Sequence, residues 1–420
     1  MSVLSYLEKL LNGVDIQWKT IGEVTLRTSN IKWREATRSY RYVDLTSVDI
    51  ETKKITETTE VTANNAPSRA QKLIEENDVI FATTRPTQQR FCLIDGEYSD
   101  EVASTGFCVL RAKQDEVLPK WIWHWISTSY FKKYVEENQS GSAYPAISDA
   151  KVKECYIPVP CPDNPEKSLA IQSEIVRILD TFTALTAELT AELTARKKQY
   201  NYYRDQLLSF KESNVAWKTL GEISRKISSG GTPKTGVTEY YDGTIPWLRT
   251  QEVDFREIWD TEIKITEEGL KTSSAKWIPK DCIIIAMYGA TVGKIGINKI
   301  PMTTNQACAN IQLDEEIVHY RYVFHFLCSQ YAYIKSLGTG SQTNINAQIV
   351  KNIKIPVPFA ENPEKSLNEQ LRIVNILDKF DTLTSSITEG LPREIELRQK
   401  QYEYYRDLLF SFPKHETTSN

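Results

Sequence analysis

The sequence predicts an α+β protein: two mixed α/β domains joined by two long antiparallel coiled-coil helices, arranged as a cyclic pseudo-twofold repeat. Three observations predict this class. "IPVPCPDNPEKSL" at 157–169 returns 198 residues later as "IPVPFAENPEKSL" at 355–367. Two stretches of about 140 residues, 16–156 and 215–354, match each other only weakly. An apolar stripe with alternating three-four spacing follows the first copy of the repeat, as in the seam of a coiled coil.

The repeat is long and cyclic. "IQSEIVRILDTF" (171–182) matches "NEQLRIVNILDKF" (368–380), keeping Gln172/Gln370, Ile178/Ile376, Leu179/Leu377, Asp180/Asp378 and Phe182/Phe380. "RKKQYNYYRDQLLSF" (196–210) matches "RQKQYEYYRDLLFSF" (398–412) at an offset of 202, so the second copy has gained four residues, about one helical turn. "VAWKTLGEI" (215–223) then repeats "IQWKTIGEV" (16–24), and Leu207-Leu208 echoes Leu10-Leu11, so the N-terminus supplies the end of a unit that begins at the C-terminus. The resulting segments are an N-terminal segment with the first domain (1–156), a central helix (157–214), the second domain (215–354) and a C-terminal helix (355–420).

Each element has a local reason. In "IPVP" two prolines fix φ and bias the residues before them to extended geometry, so a terminal strand is expected. "NPEKSL" turns the chain into a helix, and in the second copy Ser366 with Glu369 has capping-box spacing, which the first copy lacks because Ile171 stands there. Ile175, Leu179, Phe182, Leu189, Leu193, Tyr200, Tyr203, Leu207 and Phe210 carry the stripe over a helix from about 168 to 210, with Thr186 and Arg196 as polar interruptions. Gly390 and Pro392 predict a kink or break in the second helix. Within the domains "ENDVIFATTRP" (76–86) faces "PKDCIIIAMYGATVGK" (279–294), Cys108 faces Cys308 and Ile147 faces Ile345. "WIWHWI" (121–126) and "RYVFHFL" (321–327) read as aromatic helices.

A chain of 420 residues with 40 % hydrophobic content is long enough for two cores. It contains no run of eighteen apolar residues and no signal-peptide pattern at its start, so a cytoplasmic protein without a membrane segment is expected. Seven cysteines without a C-x-x-C predict reduced, mostly buried thiols. The formal charge of −4 gives no overall basic footprint, so any nucleic-acid surface must be local.

The cyclic order, "ISSGGTPKTGVTEYYDGTIPWLRTQEV" (227–253), "DCIIIAMYGATVGK" (281–294) and the paired "IPVP…NPEKSL…YYRD" segments resemble the specificity subunits of type I restriction-modification enzymes. The resemblance is nearest to the IC subgroup, whose first spacer helix carries tandem "TAEL" units, here 186–189 and 190–193. It implies that each domain is a target recognition domain reading one half of a bipartite double-stranded DNA site, with the helices holding the halves apart. It also implies a non-catalytic chain that docks two methyltransferase subunits and joins motor-nuclease restriction subunits. S-adenosylmethionine then belongs to the methyltransferase partners, ATP and Mg to the restriction subunits, and no cofactor to this chain.

The residues agree with a chain lacking catalysis of its own. The Asn-Pro pairs at 164 and 362 are followed by Glu, so the [DN]-P-P-[FYW] stretch of an adenine methyltransferase is missing. "GATVGKI" has neither the spacing nor the hydroxyl of a phosphate-cradling loop, although its Lys294 remains available to a phosphate. The four histidines show no metal-ligand spacing, and a core or helix-surface role is expected for His124 and His325.

Candidates for DNA contact are Arg, Lys, Asn and Gln, which read base edges and hold phosphates. "TTRPTQQR" offers Arg85, Gln88, Gln89 and Arg90; "RTSNIKWREATRSYR" is a local basic patch with Arg27, Lys32, Arg34, Arg38 and Arg41. The second domain offers Arg249, Thr250, Gln251, Asn305, Gln306, and a polar loop with Ser341, Gln342, Thr343, Asn344 and Asn346. Solvated loop side chains are the competing reading for each. Tyr200, Tyr203, Tyr402 and Tyr405 exceed what a leucine seam needs and are candidates for docking partners, or for packing the helices together. A coiled-coil interaction scaffold without DNA, and a methyltransferase or nuclease acting alone, are the alternative functions; the divergent polar loops argue against the first and the absent motifs against the second.

Overall fold

The computed structural model describes residues 14–210, 215–338, 344–386 and 388–412. They fall into two compact units, one within Met1–Leu189 and Ile395–Asn420, the other within Thr190–Glu394. Each unit is discontinuous or shares the central helix, as the cyclic order of the sequence requires.

In the first unit Ile16–Thr20 pairs antiparallel with Tyr156–Pro160, which is the "IPVP" segment. A four-stranded sheet follows the order Thr25–Leu26, Phe107–Ala112, Val79–Ala82, Phe91–Leu93. A second has the order Thr59–Val61, Tyr40–Val43, Glu101–Ser104, Ala70–Ile74, with the middle two strands parallel. The second unit repeats the plan. Val215–Thr219 pairs with Lys354–Pro358, and a five-stranded sheet orders Ser224–Ser229, Cys308–Leu313, Ile283–Ala286, Ile295–Asn298, Glu257–Ile258. In a three-stranded sheet Tyr241–Leu248 runs parallel to Thr303–Thr304. The "VIFA" and "IIIA" strands are buried throughout, which is why they read as apolar runs without alternation. Cys108 is the second residue and Cys308 the first of the strands beside them, and Ile147 and Ile345 donate their amides to the carbonyls of Thr83 and Met287 just beyond the ends of the buried strands.

The repeated phrase performs the same local tasks in both units. The indole of Trp121 donates to the Pro158 carbonyl (2.9 Å) and the Tyr322 hydroxyl to that of Pro356 (2.8 Å), tying each "IPVP" strand to its aromatic helix. The helices start at Pro165 and Pro363, and the caps are Asn164 and Asn362, whose side chains each accept from a backbone amide three residues on at 3.0 Å. The expected capping box at Ser366–Glu369 is therefore corrected. Proline at the first helical position lacks the amide that would need a partner, so the cap falls on the asparagine before it. Ser366 is buried and bonds Gln370, while Glu369 pairs with Arg372. Gln172 and Gln370 act as clamps: each oxygen accepts from the amide of Leu118 or His319, and each nitrogen donates to the carbonyl of Glu116 or Ile317.

The central helix is continuous from Pro165 to Leu207. Ile175 and Leu179 are fully buried, Phe182, Leu189, Leu193, Tyr200 and Leu207 are half-buried, and Tyr203 is 41 % exposed. The second copy breaks into Pro363–Ser385 and Leu391–Leu409. Gly390 sits between them at φ +85, where a Cβ would stand 2.4 Å from the Thr382 carbonyl oxygen, so the four extra residues are spent on a turn that needs glycine.

Each aromatic helix carries a buried histidine, His124 or His325, that joins three elements. His124 lies 3.0 Å from Asp180 through Nε2 and 3.0 Å from the Tyr402 hydroxyl through Nδ1. His325 lies 2.7 Å from Asp378 and 3.1 Å from the Tyr200 hydroxyl through the same two nitrogens. This is the core role expected for both histidines. Five of the seven cysteines are buried, none of the seven is in a disulfide, and burial pushes the thiols of Cys92, Cys108 and Cys282 up to about 12.

Candidate nucleic-acid interface

In the first unit the buried strand Val79–Ala82 ends at Thr83, whose hydroxyl donates to the Gly106 carbonyl. The chain then makes one tight turn, Pro86–Gln88, between two left-handed residues, Arg85 (φ 48) and Gln89 (φ 53). Pro86 is buried and anchors it. The Arg85 amide donates to the Pro145 carbonyl (2.7 Å), and its exposed guanidinium lies 5.3 Å from the ring of Tyr144, which is 71 % exposed. Gln88 is exposed. Both polar atoms of the Gln89 side chain are enclosed without a hydrogen-bond partner among the described residues. An enclosed orphan of this kind costs about 1–3 kcal/mol, which a ligand or a small rotation of the loop can recover. Arg90 turns inward and donates to the carbonyls of Leu45 and Val48. Beneath the loop Lys53 donates to the Gln89 carbonyl, and burial pushes its ammonium down to about 8.

The basic patch is held elsewhere. Arg41 and Arg38 sit where Tyr40–Val43 begins, and the loop of Arg90 lies beyond the other end of that strand, at Leu45. Arg38 pairs with Glu101 (3.2 Å) and packs on Tyr40, Arg41 pairs with Glu97 (2.6 Å), and Lys32 pairs with Glu35 (3.4 Å). Arg27 and Arg34 are exposed. Much of the patch's charge is thus met by acids that lie some sixty residues away in the sequence.

In the second unit the candidates converge. The parallel pair Trp247↔Thr303 and Leu248↔Thr304 ends where the Asn305 amide donates to the Leu248 carbonyl (2.9 Å), bringing Asn305 and Gln306 beside Arg249, Thr250 and Gln251. The Thr291 hydroxyl donates to the Thr250 carbonyl (2.8 Å), which draws in the turn of Gly289 and Gly293. Lys294 is held by Asp254 (2.6 Å), and Arg249 by Glu252 (3.3 Å) and Glu262 (2.8 Å). Gln251 and Gln306 are exposed. The Thr232 hydroxyl donates to the Gln306 side-chain oxygen, while the Gly231 amide donates to the Thr304 carbonyl (2.9 Å). A Cβ at Gly230 would fall 1.8 Å from that carbonyl oxygen, so only glycine lets this loop come so close. Asn344 precedes Ile345, whose amide donates to the Met287 carbonyl, and the Asn346 side chain caps the helix Ala347–Asn352. Ser341, Gln342 and Thr343 lie outside the described residues.

The two clusters occupy equivalent places. Val43↔Ala103 in the first unit corresponds to Leu248↔Thr304 in the second, and the Arg85 turn corresponds to Tyr288–Lys294. The exposed donors of the first unit stand on the turn after Val79–Ala82, and those of the second on the segments after its parallel pair, to which Thr291 ties the equivalent turn. Arg, Gln, Asn and Thr so presented can donate to base edges and phosphates.

On the helices, the hydroxyls of Tyr200 and Tyr402 are taken by the two histidines, while Tyr203 stacks on Phe380 (5.6 Å) and Tyr405 on Phe182 (5.4 Å). The neighbouring Tyr202 and Tyr404 are 62 % and 60 % exposed and meet Tyr203 and Tyr405 edge-on. The sequence signal for them was their position off the seam: an aromatic kept in both copies where packing does not require one. Tyr404 also lines a groove of about 420 Å³ with Ser129, Lys400, Glu403 and Asp407. Lys53, Tyr144 and Thr232 lay outside the sequence-level candidates because only the fold brings them to the loops. Among the described residues there is no group of His, Cys, Asp and Glu suited to a metal ion, and no helix long and apolar enough to cross a membrane.

The family described as type I restriction modification DNA specificity domain matches residues 15–196 and 212–397. The EcoR124I/EcoR124II specificity subunit of Escherichia coli is 44 % identical over 434 residues, covering all of both chains. The EcoprrI specificity subunit of Escherichia coli is 32 % identical and covers 93 % of each. The fold is shared with a chain from a type I restriction-modification assembly (TM-score 0.62, 21 % identity, 94 % of this chain and 97 % of that one) and with the S subunit from M. genitalium (TM-score 0.54, 16 % identity, 96 % and 98 %). Two matches of one family, one in each repeat, together with full-length similarity, settle what the paired units are: the chain belongs to the type I restriction-modification DNA specificity family.

Proposed function

We propose that each of the two domains reads one half of a bipartite double-stranded DNA site, and that the helices set the number of unread base pairs between the halves. The carrying observation is that both domains present exposed Arg or Gln donors, Arg85 and Gln88 in the first and Gln251 and Gln306 in the second, on loops that leave buried strands and differ in sequence. In the first domain Arg85, Gln88 and Gln89 are the readers, with Lys53 beneath them; in the second Thr250, Gln251, Asn305 and Gln306 are, with Arg249 and Lys294 available to phosphates once their acidic partners are exchanged for DNA. Arg34 supplies a further phosphate contact.

The chain works with methyltransferase and restriction subunits. Two methyltransferase subunits dock per chain, on the twice-presented surfaces around Tyr202–Tyr203 and Tyr404–Tyr405, and these partners bind S-adenosylmethionine. The restriction subunits use ATP and Mg. Two arguments support the stoichiometry: the surface occurs twice, and exposed aromatic residues are enriched at interfaces. Native mass measurement of the reconstituted methyltransferase should give two partners per chain; a single partner contradicts the docking scheme. Pure chain incubated with DNA, S-adenosylmethionine and magnesium should transfer no methyl group. In duplexes carrying the mapped site, scrambling either half should weaken binding at least tenfold, about 1.4 kcal/mol, whereas indifference to one half would remove its domain from recognition.

A further inference from the structure

A helix can measure a distance only if both of its ends are fixed. In each unit a helix end arriving from the other half of the repeat packs on the domain largely through apolar and stacked groups: Leu409, Phe410 and Phe412, with Tyr405 on Phe182, in the first unit, and Leu207, Leu208 and Phe210, with Tyr203 on Phe380, in the second. Such contacts are non-directional and tolerate a small rotation or slip. One directional contact recurs in both units, from the incoming helix through the aromatic helix to the outgoing helix: Tyr402–His124–Asp180 and Tyr200–His325–Asp378.

The proton positions in this chain follow from chemistry. A carboxylate only accepts, so the imidazole Nε2 carries the hydrogen that points at Asp180 or Asp378. In a neutral ring so oriented Nδ1 is an acceptor, to which the tyrosine hydroxyl donates. Lys120 and Arg321 hold the two aspartates from the same aromatic helices, and Arg406 and Arg204 lie over the rings of Tyr402 and Tyr200 (5.5 and 5.6 Å). Both histidines are fully buried, and the Tyr402 hydroxyl also lies 3.3 Å from the Ser127 hydroxyl. The first unit has further directional contacts with its incoming helix, Ser127 with Tyr402 and Ser129 with Asp407, and the latter has no counterpart among the described residues of the second unit.

We propose that Tyr200 and Tyr402, through His325 and His124, are positioning residues that fix the register of each incoming helix end on its recognition domain, and that the strictness of the gap between the half-sites depends on them. This rests on the reading of the helices as the ruler. Removing one hydroxyl keeps the ring and its stacking but lets the helix end settle in neighbouring registers.

The test uses the full chain assembled with its methyltransferase partners and carrying Tyr200→Phe or Tyr402→Phe, with modified sites mapped genome-wide. The half-sequences should stay the same, while modification at sites with a gap one base pair longer or shorter rises about tenfold or more relative to the cognate gap. The rise should be larger for Tyr200→Phe, because Ser129–Asp407 still pins the first unit. A merely structural hydroxyl would lower thermal stability and modification at all sites in proportion, leaving the gap ratio at its wild-type value, and that result overturns the proposal. The two variants probe separate units, so failure of one to assemble leaves the other to decide. A chain with one TAEL unit deleted separates the two claims. An unshifted gap there defeats the ruler itself, whereas a shifted gap with wild-type ratios in both Phe variants defeats only this inference.

Discussion

Arg85 and Arg90 stand five residues apart and should fail in different ways. Arg85 is exposed, and its guanidinium meets only the exposed ring of Tyr144 among the described residues, so Arg85→Ala should relax discrimination in the first half-site by about 1–3 kcal/mol while leaving thermal stability close to wild type. Arg90 satisfies two carbonyls, and Arg90→Ala should instead lower stability by about 1–3 kcal/mol, read by thermal unfolding. The sequence grouped these residues correctly, since all follow one buried strand, but could not tell an outward guanidinium from an inward one; that depends on the loop of Leu45–Val48, some forty residues earlier. The same limit applied to Arg38 and Arg41, whose acidic partners are remote in sequence. His124 adds a pH dependence. Burial, opposed by Asp180, holds its imidazole below the usual value, so the unfolded chain takes up the proton first as pH falls. Stability should therefore be full above about pH 6.5 and decline below it, and His124→Gln should flatten that part of the profile.

At the scale of elements, the helices were the most legible part of the chain, because an apolar stripe and a long repeat carry their own register. Their starts were less so. Ser366 occupies an attractive capping position, but the preceding Asn-Pro pair fixes the cap four residues earlier, at Asn362, and frees Ser366 to bind Gln370. The TAEL units at 186–193 lie wholly inside the continuous helix, where Thr186 donates back to the Phe182 carbonyl (3.0 Å) and Glu192 pairs with Arg196 (2.7 Å). Four helical residues add about 6 Å and about 40° beyond a full turn, close in rotation to the roughly tenth of a turn contributed by one base pair. Adding or deleting one unit should change the gap by one base pair and leave both half-sequences intact, as mapping of modified sites would show. An unchanged gap, or altered half-sequences, would mean that this helix does not set the distance.

At the scale of the whole molecule, the repeat made the cyclic order readable, yet the likeness of the two domains was nearly invisible in their residues. The strand pairings explain why: Val43↔Ala103 and Leu248↔Thr304 are equivalent, but the loops that follow them share neither length nor sequence. Buried strands keep their apolar character under packing constraints, while loops facing a ligand are free to differ. The central claim is that each domain reads its own half of the site, and the most direct measurement is a comparison of modified-site maps for two variants, Arg85→Ala in the first domain and Gln306→Ala in the second, in otherwise identical cells. Arg85→Ala should degenerate one half of the bipartite motif and leave the other intact, and Gln306→Ala should do the reverse. Degeneracy in the same half for both variants, or in both halves for either, would contradict the account.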